Sequence, residues 1–306
     1  MKKERVIPSA DNKHHLHTVI WEPEGEVCAI LQISHGMVEY VERFEEFAEE
    51  LNRAHILVIG NDHLGHGKTA GAESDLGYFG KGKSDTLVED LHRITAYIHA
   101  EYPQTPIFLF GHSMGSFLAR KYIMYYGTQL SGVILSGTGY TPNGVLRFAK
   151  ILSGWLQLIK GERYRSSFLK KLSFSGYLKR IEQPRTETDW LTRDEKVIDA
   201  YNRDKFCTYT FTVNGYRTLF ELLEEIQEKK HIKKTPKQLP ILLISGKEDP
   251  VGNYGVGVET VYKLYQREGL TDIEKKLYEK DRHELTNELD KETVFADIKE
   301  WIMRYL

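Results

Sequence analysis

Only two residues of the chain are cysteine, Cys28 and Cys207. Two thiols make neither a disulfide framework nor a Cys-x-x-Cys metal site, and reduced cysteines in a cytoplasmic protein are the expected state. Neither sign of charge dominates: 42 Lys and Arg stand against 44 Asp and Glu, a formal net charge of -2. No global field therefore draws in nucleic acid or an anionic membrane. No apolar run approaches the length needed to span a bilayer. The basic start Met1-Lys2-Lys3-Glu4-Arg5 is followed by Pro8, Ser9, Asp11 and Asn12 instead of an apolar stretch, so no signal peptide is expected. Asn-x-Ser/Thr sequons, internal repeats and low-complexity segments are absent too. What is present is an ordinary globular mixture, 41% hydrophobic and 28% charged over 306 residues. That suffices for one large core, or for a core with a second lobe.

Strands and helices alternate through the first part. A loose alternation over Lys13 to Trp21 predicts an edge strand, and the nearly continuous apolar run Val27 to Ile33 predicts a central one. Glu39 to Asn52 has helical spacing, Ile56 to Ile59 reads as a buried strand, and Ser84 to Tyr102 as a helix capped by Ser84 or Asp85. Ile107 to Phe110 and Val133 to Leu135 are further strands. At Gly137-Thr138-Gly139 the rhythm stops. Thr141 to about Thr235 carries helical patterns only, at Val145 to Ile159 and Thr218 to Glu228, which predicts a helical cap inserted at residues 140–235. Alternation returns with the strand Ile241 to Ile244, a helix over Val258 to Gln266, the strand Ile273 to Tyr278 and a closing helix over Val294 to Leu306. Residues 1–139 and 236–306 then form one α/β core around a mostly parallel sheet. Active sites of such sheets lie at the carboxyl ends of the strands.

The stretch Gly111-His112-Ser113-Met114-Gly115 sits at one of these ends, between a buried strand and a helix. This is the context of a nucleophile elbow, in which flanking glycines relieve a turn tight enough to strain the serine backbone. A turn serine is the plain alternative, so the rest of the chain has to carry the reading. A serine hydroxyl is a poor nucleophile without a base, and the base needs a carboxylate to orient it. Asp249 comes just past the strand ending at Ile244, and His283 just past the strand ending at Tyr278. The order Ser113, Asp249, His283 at three strand ends predicts a catalytic triad. Glu248 is the reserve acid. His283-Glu284 could open a His-Glu-x-x-His zinc motif, but position 287 is Asn287. Oxyanion donors are expected from the backbone N–H of Met114, next to the nucleophile, and of Met37, behind His35-Gly36. Asn61 to Thr69 lacks the spacing of a phosphate loop. Asp62 and His63 are expected to brace the turns around the site, together with His35, Gly36 and His112. A metal at His14, His15 and His17 is not expected, since strand neighbours face alternate sides and no carboxylates accompany them.

His35-Gly36 with Glu39, Asp62-His63-Leu64-Gly65-His66-Gly67, Gly111-His112-Ser113-Met114-Gly115-Ser116, Asp249 and His283 together resemble the monoacylglycerol lipase and lysophospholipase group of α/β-hydrolases. That group also carries the label serine aminopeptidase. The resemblance covers nearly the whole chain and is poorest in the cap. It implies an eight-stranded sheet, a helical cap after the sixth strand, no cofactor and no metal. It also implies hydrolysis of single-chain acyl esters by Ser113, Asp249 and His283, with Met37 and Met114 at the oxyanion.

The helix Val145 to Ile159 is apolar over a wide face and flanked by Arg147, Lys150 and Lys160. It packs within its lobe, lines an acyl tunnel, or touches a membrane surface transiently. A cytoplasmic protein, with peripheral membrane contact as an option, is the expected setting. The competing functions are another serine hydrolase (short-chain esterase, thioesterase or peptidase) and a non-catalytic ligand binder.

Overall fold

The computed structural model describes residues 1–306. Its frame is one sheet of eight strands: β1 Lys2–Pro8, β2 His15–Trp21, β3 Ala29–Ser34, β4 Ile56–Asn61, β5 Ile107–His112, β6 Gly132–Ser136, β7 Ile241–Gly246 and β8 Ile273–Tyr278. Their order across the sheet is β1-β2-β4-β3-β5-β6-β7-β8. The strands from β4 across to β8 are parallel, while β1 and β2 run antiparallel at one edge. This is the α/β-hydrolase fold.

Three helices belong to the alternating first part: α1 Glu45–Asn52, α2 Lys83–Glu101 and α3 Met114–Tyr126. Between β6 and β7 come only helices: α4 Asn143–Lys160, α5 Ser167–Phe174, α6 Glu195–Arg203, α7 Val213–Glu225 and the single turn α8 Lys229–Ile232. Then α9 Val256–Arg267 joins β7 to β8, and α10 Lys291–Met303 closes the chain. The central strands are apolar without a break because both sheet faces are covered. Along β5, Ile107 and Leu109 enter the core shared with α2, α3 and α7. Phe108 and Phe110 enter the opposite core, against α1 and α10.

Several boundaries differ from the sequence reading. The edge strand is β1, not the segment around His15, which is second in the sheet. β1 leaves most of its side chains exposed, so it carries little apolar signal. The helix expected from Glu39 starts as a 3-10 turn over Val41–Phe44 and becomes α-helical only at Glu45. α2 begins at Lys83 with Gly82 as its N-cap and no side-chain cap. Ser84, expected to cap it, is buried and instead accepts a hydrogen bond from the Lys121 ammonium at 3.1 Å. No helix of the chain is long and apolar enough to cross a membrane.

Candidate active site

The register of the parallel strands brings their carboxyl ends to one rim. Ser113 comes directly after β5 and forms the N-cap position of α3, with φ 51° and ψ -119°. A non-glycine residue in that region costs about 1–3 kcal/mol and persists only where neighbours enforce it. Here the Ser113 N–H donates to the Ser136 carbonyl at the end of β6, at 2.9 Å. Gly115 lets α3 start directly against the end of β3, since a Cβ there would lie 1.9 Å from the Ser34 carbonyl oxygen. The Ser113 side chain makes no capping hydrogen bond, so its hydroxyl is left free.

Asp249 and His283 meet beside this turn. Asp249 Oδ1 lies 3.0 Å from His283 Nδ1, and both residues are buried. The same carboxylate accepts from the Val251 N–H at 2.8 Å and the Ser245 hydroxyl at 3.0 Å. Burial alone would raise the Asp249 pKa, but His283 and these donors outweigh it and leave it lowered. The remaining ring nitrogen, His283 Nε2, is buried and has no hydrogen-bond partner in the protein. The ring packs between His112, at 4.8 Å between centroids, and Trp190 of the helical segment between β6 and β7, at 5.1 Å. Since His112 immediately precedes Ser113, the serine and the free imidazole edge share one neighbourhood. Glu248, the reserve acid, lies 3.9 Å from Arg180 instead.

Two backbone amides in the loops next to this turn lack a backbone acceptor. Met114 is the first residue of α3, so its N–H has no intrahelical acceptor. The Met37 N–H makes no backbone hydrogen bond. Gly36 brings that loop onto the serine, because a Cβ at Gly36 would stand 3.0 Å from Ser113 Cβ. Val38, one residue beyond Met37, has φ 58°. For a β-branched residue this is a strained conformation.

The other site residues read from the sequence lie beneath these loops. His35 Nδ1 donates to the Gly36 carbonyl at 2.8 Å, and its Nε2 accepts from the His63 N–H at 2.9 Å. His63 Nε2 pairs with the Ser34 hydroxyl at 3.1 Å. Asp62 accepts from the Val41 N–H at 2.9 Å and the Lys68 N–H at 2.8 Å, and pairs with His17 at 3.1 Å. Burial pushes His63 down to about 3 and His66 down to about 4. His35 is lowered well below its ordinary value, by burial first and by its histidine neighbours second.

One charged network beside the site escaped the sequence reading, in which Glu39 carried no role. Glu39 takes the Gly36 N–H and lies 2.6 Å from His112 Nδ1. Arg43 donates to Glu39 at 3.0 Å and makes a two-pronged pair with Glu284 at 2.7 and 2.8 Å. Burial opposes ionisation of Glu284, yet the Arg43 guanidinium holds its pKa down to about 2. Burial likewise disfavours the His112 cation, but Glu39 more than offsets this and raises it. Glu284 was visible beside His283; nothing local in the sequence marks Arg43, 241 positions away, as its partner.

The sheet order and the rim residues define the class: an α/β-hydrolase fold with a strained serine, a buried imidazole–carboxylate pair and free amides past the carboxyl ends of four strands. Residues 25–290 match the family described as serine aminopeptidase, S33, and the chain belongs to that family. Monoglyceride lipase of Rattus norvegicus is 28% identical over 304 residues, spanning 97% of this chain and 89% of the rat protein. Monoacylglycerol lipase of Mycolicibacterium smegmatis is 24% identical over 293 residues, spanning 94% and 92%. Among solved structures, a highly thermostable carboxyl esterase from Bacillus coagulans, in complex with glycerol, superposes with a TM-score of 0.92. It is 31% identical and covers 99% of this chain and 98% of that one.

Proposed function

We propose that the protein is a serine hydrolase of carboxylic esters, acting on single-chain acyl lipids of the monoacylglycerol or lysophospholipid type. One observation carries the reading. His283 is tied to Asp249 through Nδ1, keeps a buried, unpartnered Nε2, and packs its ring on His112, the residue before a serine held in a strained turn. In this scheme Ser113 Oγ attacks the ester carbonyl carbon while its proton passes to His283 Nε2. The carbonyl oxygen, now negative, is held by the N–H groups of Met37 and Met114. As the carbonyl reforms, the bond to the leaving alcohol breaks, and His283 gives that alcohol its proton. Water then attacks the acyl-enzyme, with His283 again taking and returning a proton, and frees the fatty acid and Ser113. Asp249 fixes the imidazole tautomer and stabilises its cation.

Residues 140–235 act as the cap over this centre. The choice of an acyl lipid draws on two supports. Two of the relatives described above are named monoglyceride lipase and monoacylglycerol lipase, and the third, a carboxyl esterase, agrees with the ester chemistry alone. In addition, α4 exposes Val145, Phe148, Ile151, Trp155, Leu158 and Ile159, while burying only Leu146, Ala149 and Ser153. A contiguous apolar face of this kind suits an acyl chain or a lipid surface.

The test has two parts. A fluorophosphonate should label Ser113, and Ser113→Ala should abolish ester turnover; label on another serine would move the site. Turnover should then be measured on esters with acyl chains from acetate to stearate, on lysophosphatidylcholine and on an aminoacyl amide. Preference for long acyl esters supports the lipid reading. A sharp fall beyond butyrate, or faster cleavage of the amide, would replace it with a short-chain esterase or a peptidase.

A further inference from the structure

The cap helix α6 touches both loops that flank Ser113. At its start, Arg193 reaches the loop that carries His283. Its guanidinium binds Asp281 at 2.5 Å and Glu288 at 2.8 Å, and also pairs with Asp290. These three carboxylates lie within 4.8 Å of one another. Asp281 and Glu288 are buried, and Asp281 Oδ2 has no hydrogen-bond partner. Like charges this close repel strongly unless a cation stands between them, and Arg193 supplies it. The main chain is stitched as well. The Glu284 N–H donates to the Leu191 carbonyl at 2.7 Å, Thr192 Oγ1 donates to the Asn287 carbonyl at 2.8 Å, and Arg282 donates to the Asp189 and Thr192 carbonyls at 2.6 and 3.0 Å.

At the other end of α6 the contacts go to the loop that presents Met37. The Tyr201 hydroxyl donates to the Val38 carbonyl at 3.0 Å, and the Tyr40 hydroxyl donates to Asp204 at 2.7 Å. Val38 is the residue in the left-handed region, so its conformation has to be enforced from outside. Tyr201 is one of the groups that enforce it.

We propose that α6 and its flanks form a brace between the histidine loop and the oxyanion loop, in which Arg193 and Tyr201 are positioning residues for the ester hydrolysis proposed above. This rests on the assignment of His283 as the base and of the Met37 amide as an oxyanion donor. The brace makes this part of the cap a fixed component of the catalytic centre rather than a cover over it. Misplacing a catalytic group by a fraction of an ångström slows the chemical step while leaving binding largely intact.

The experiment measures kcat and KM on a soluble short-chain ester for Arg193→Ala, Tyr201→Phe and Arg163→Ala, with thermal melts to verify folding. Arg163→Ala is the control: it removes another cap-to-core pair, with Asp75 at 2.6 Å, that touches neither loop. Arg193→Ala is expected to lower kcat about tenfold or more with KM little changed. Millimolar methylguanidine should restore part of that kcat by refilling the carboxylate cluster. Tyr201→Phe keeps the ring and loses only the donor to Val38, so it stays folded if Arg193→Ala does not; its kcat should fall about threefold at unchanged KM. The control should match the parent. Unchanged kcat in the folded variants, or a rise in KM alone, would overturn the brace. His283→Ala, measured alongside, separates the two ideas: full turnover in that variant would remove the base assignment itself.

Discussion

Five buried histidines stand around Ser113, and they divide into two groups. His35, His63 and His66 lie on the side of β3 and β4, and His112 and His283 on the side of β5 and β8. All five are at most 4% exposed, so burial does not distinguish them. Their partners do. The first group meets carbonyls, an amide and a hydroxyl, and each member is pushed toward the neutral form. In the second group, His112 faces Glu39 and His283 faces Asp249. Only an imidazole with a carboxylate at its back can take a proton in a dry site at low cost. The contrast sets three histidines held neutral apart from two backed by a carboxylate, and the proton transfer proposed for His283 belongs to the second kind.

The most severe way to break this contrast is to exchange the effects of the two sides. His283→Ala should lower kcat by a factor on the order of 10^4 or more. His66→Gln should leave kcat within about threefold of the parent and lower the melting temperature instead. Equal losses of kcat in the two variants would show that the division by partner is mistaken. Asp249→Asn is the next step down, with kcat reduced on the order of 10^3 to 10^4 through the wrong imidazole tautomer. A smaller effect is expected for Glu39→Gln, about tenfold in kcat. That change removes the charge facing His112 and weakens the hold on Gly36 and Arg43 together.

This division was only half legible in the sequence. The strand-end positions of Ser113, Asp249 and His283 could be read because buried parallel strands are short apolar runs, and the residues just past each run stand at the rim. β1 could not be read, since an exposed edge strand needs no apolar face. α5 and α6 were missed for a related reason: they are short, and α6 is held by Arg193, Tyr201 and Asp204 through polar contacts with distant loops. Periodicity reports burial, not a guanidinium reaching a carboxylate 88 or 95 positions away. The same limit hid the network of Glu39 and Arg43. Their local pattern is that of an ordinary helix start, and only the fold brings Glu284 to them.

The gentlest test of the histidine contrast is acid stability, where no reaction is involved. His63 at about 3 and His66 at about 4 are lowered from a value near 6.5 in the unfolded chain. Between about pH 6.5 and 4 the unfolded chain therefore binds protons that the native state refuses, so native stability falls as pH falls through that window. Each unit of difference corresponds to about 1.4 kcal/mol, so two such histidines give a loss of several kcal/mol. Glu284 acts in a lower window. Its native value of about 2 lies below the ordinary carboxylate value of 4.5, so its contribution is complete above that value and is lost as pH falls toward 2. Calorimetric melts from pH 7 to pH 3 should show the loss beginning near pH 6.5, above the ordinary carboxylate range. His66→Gln should be less stable at pH 7 but shallower down to pH 4, because one group that charges on unfolding is gone. Parent and His66→Gln profiles of equal slope between about pH 6.5 and pH 4 would mean that His66 is not held neutral, and the contrast between the two groups of histidines would fail.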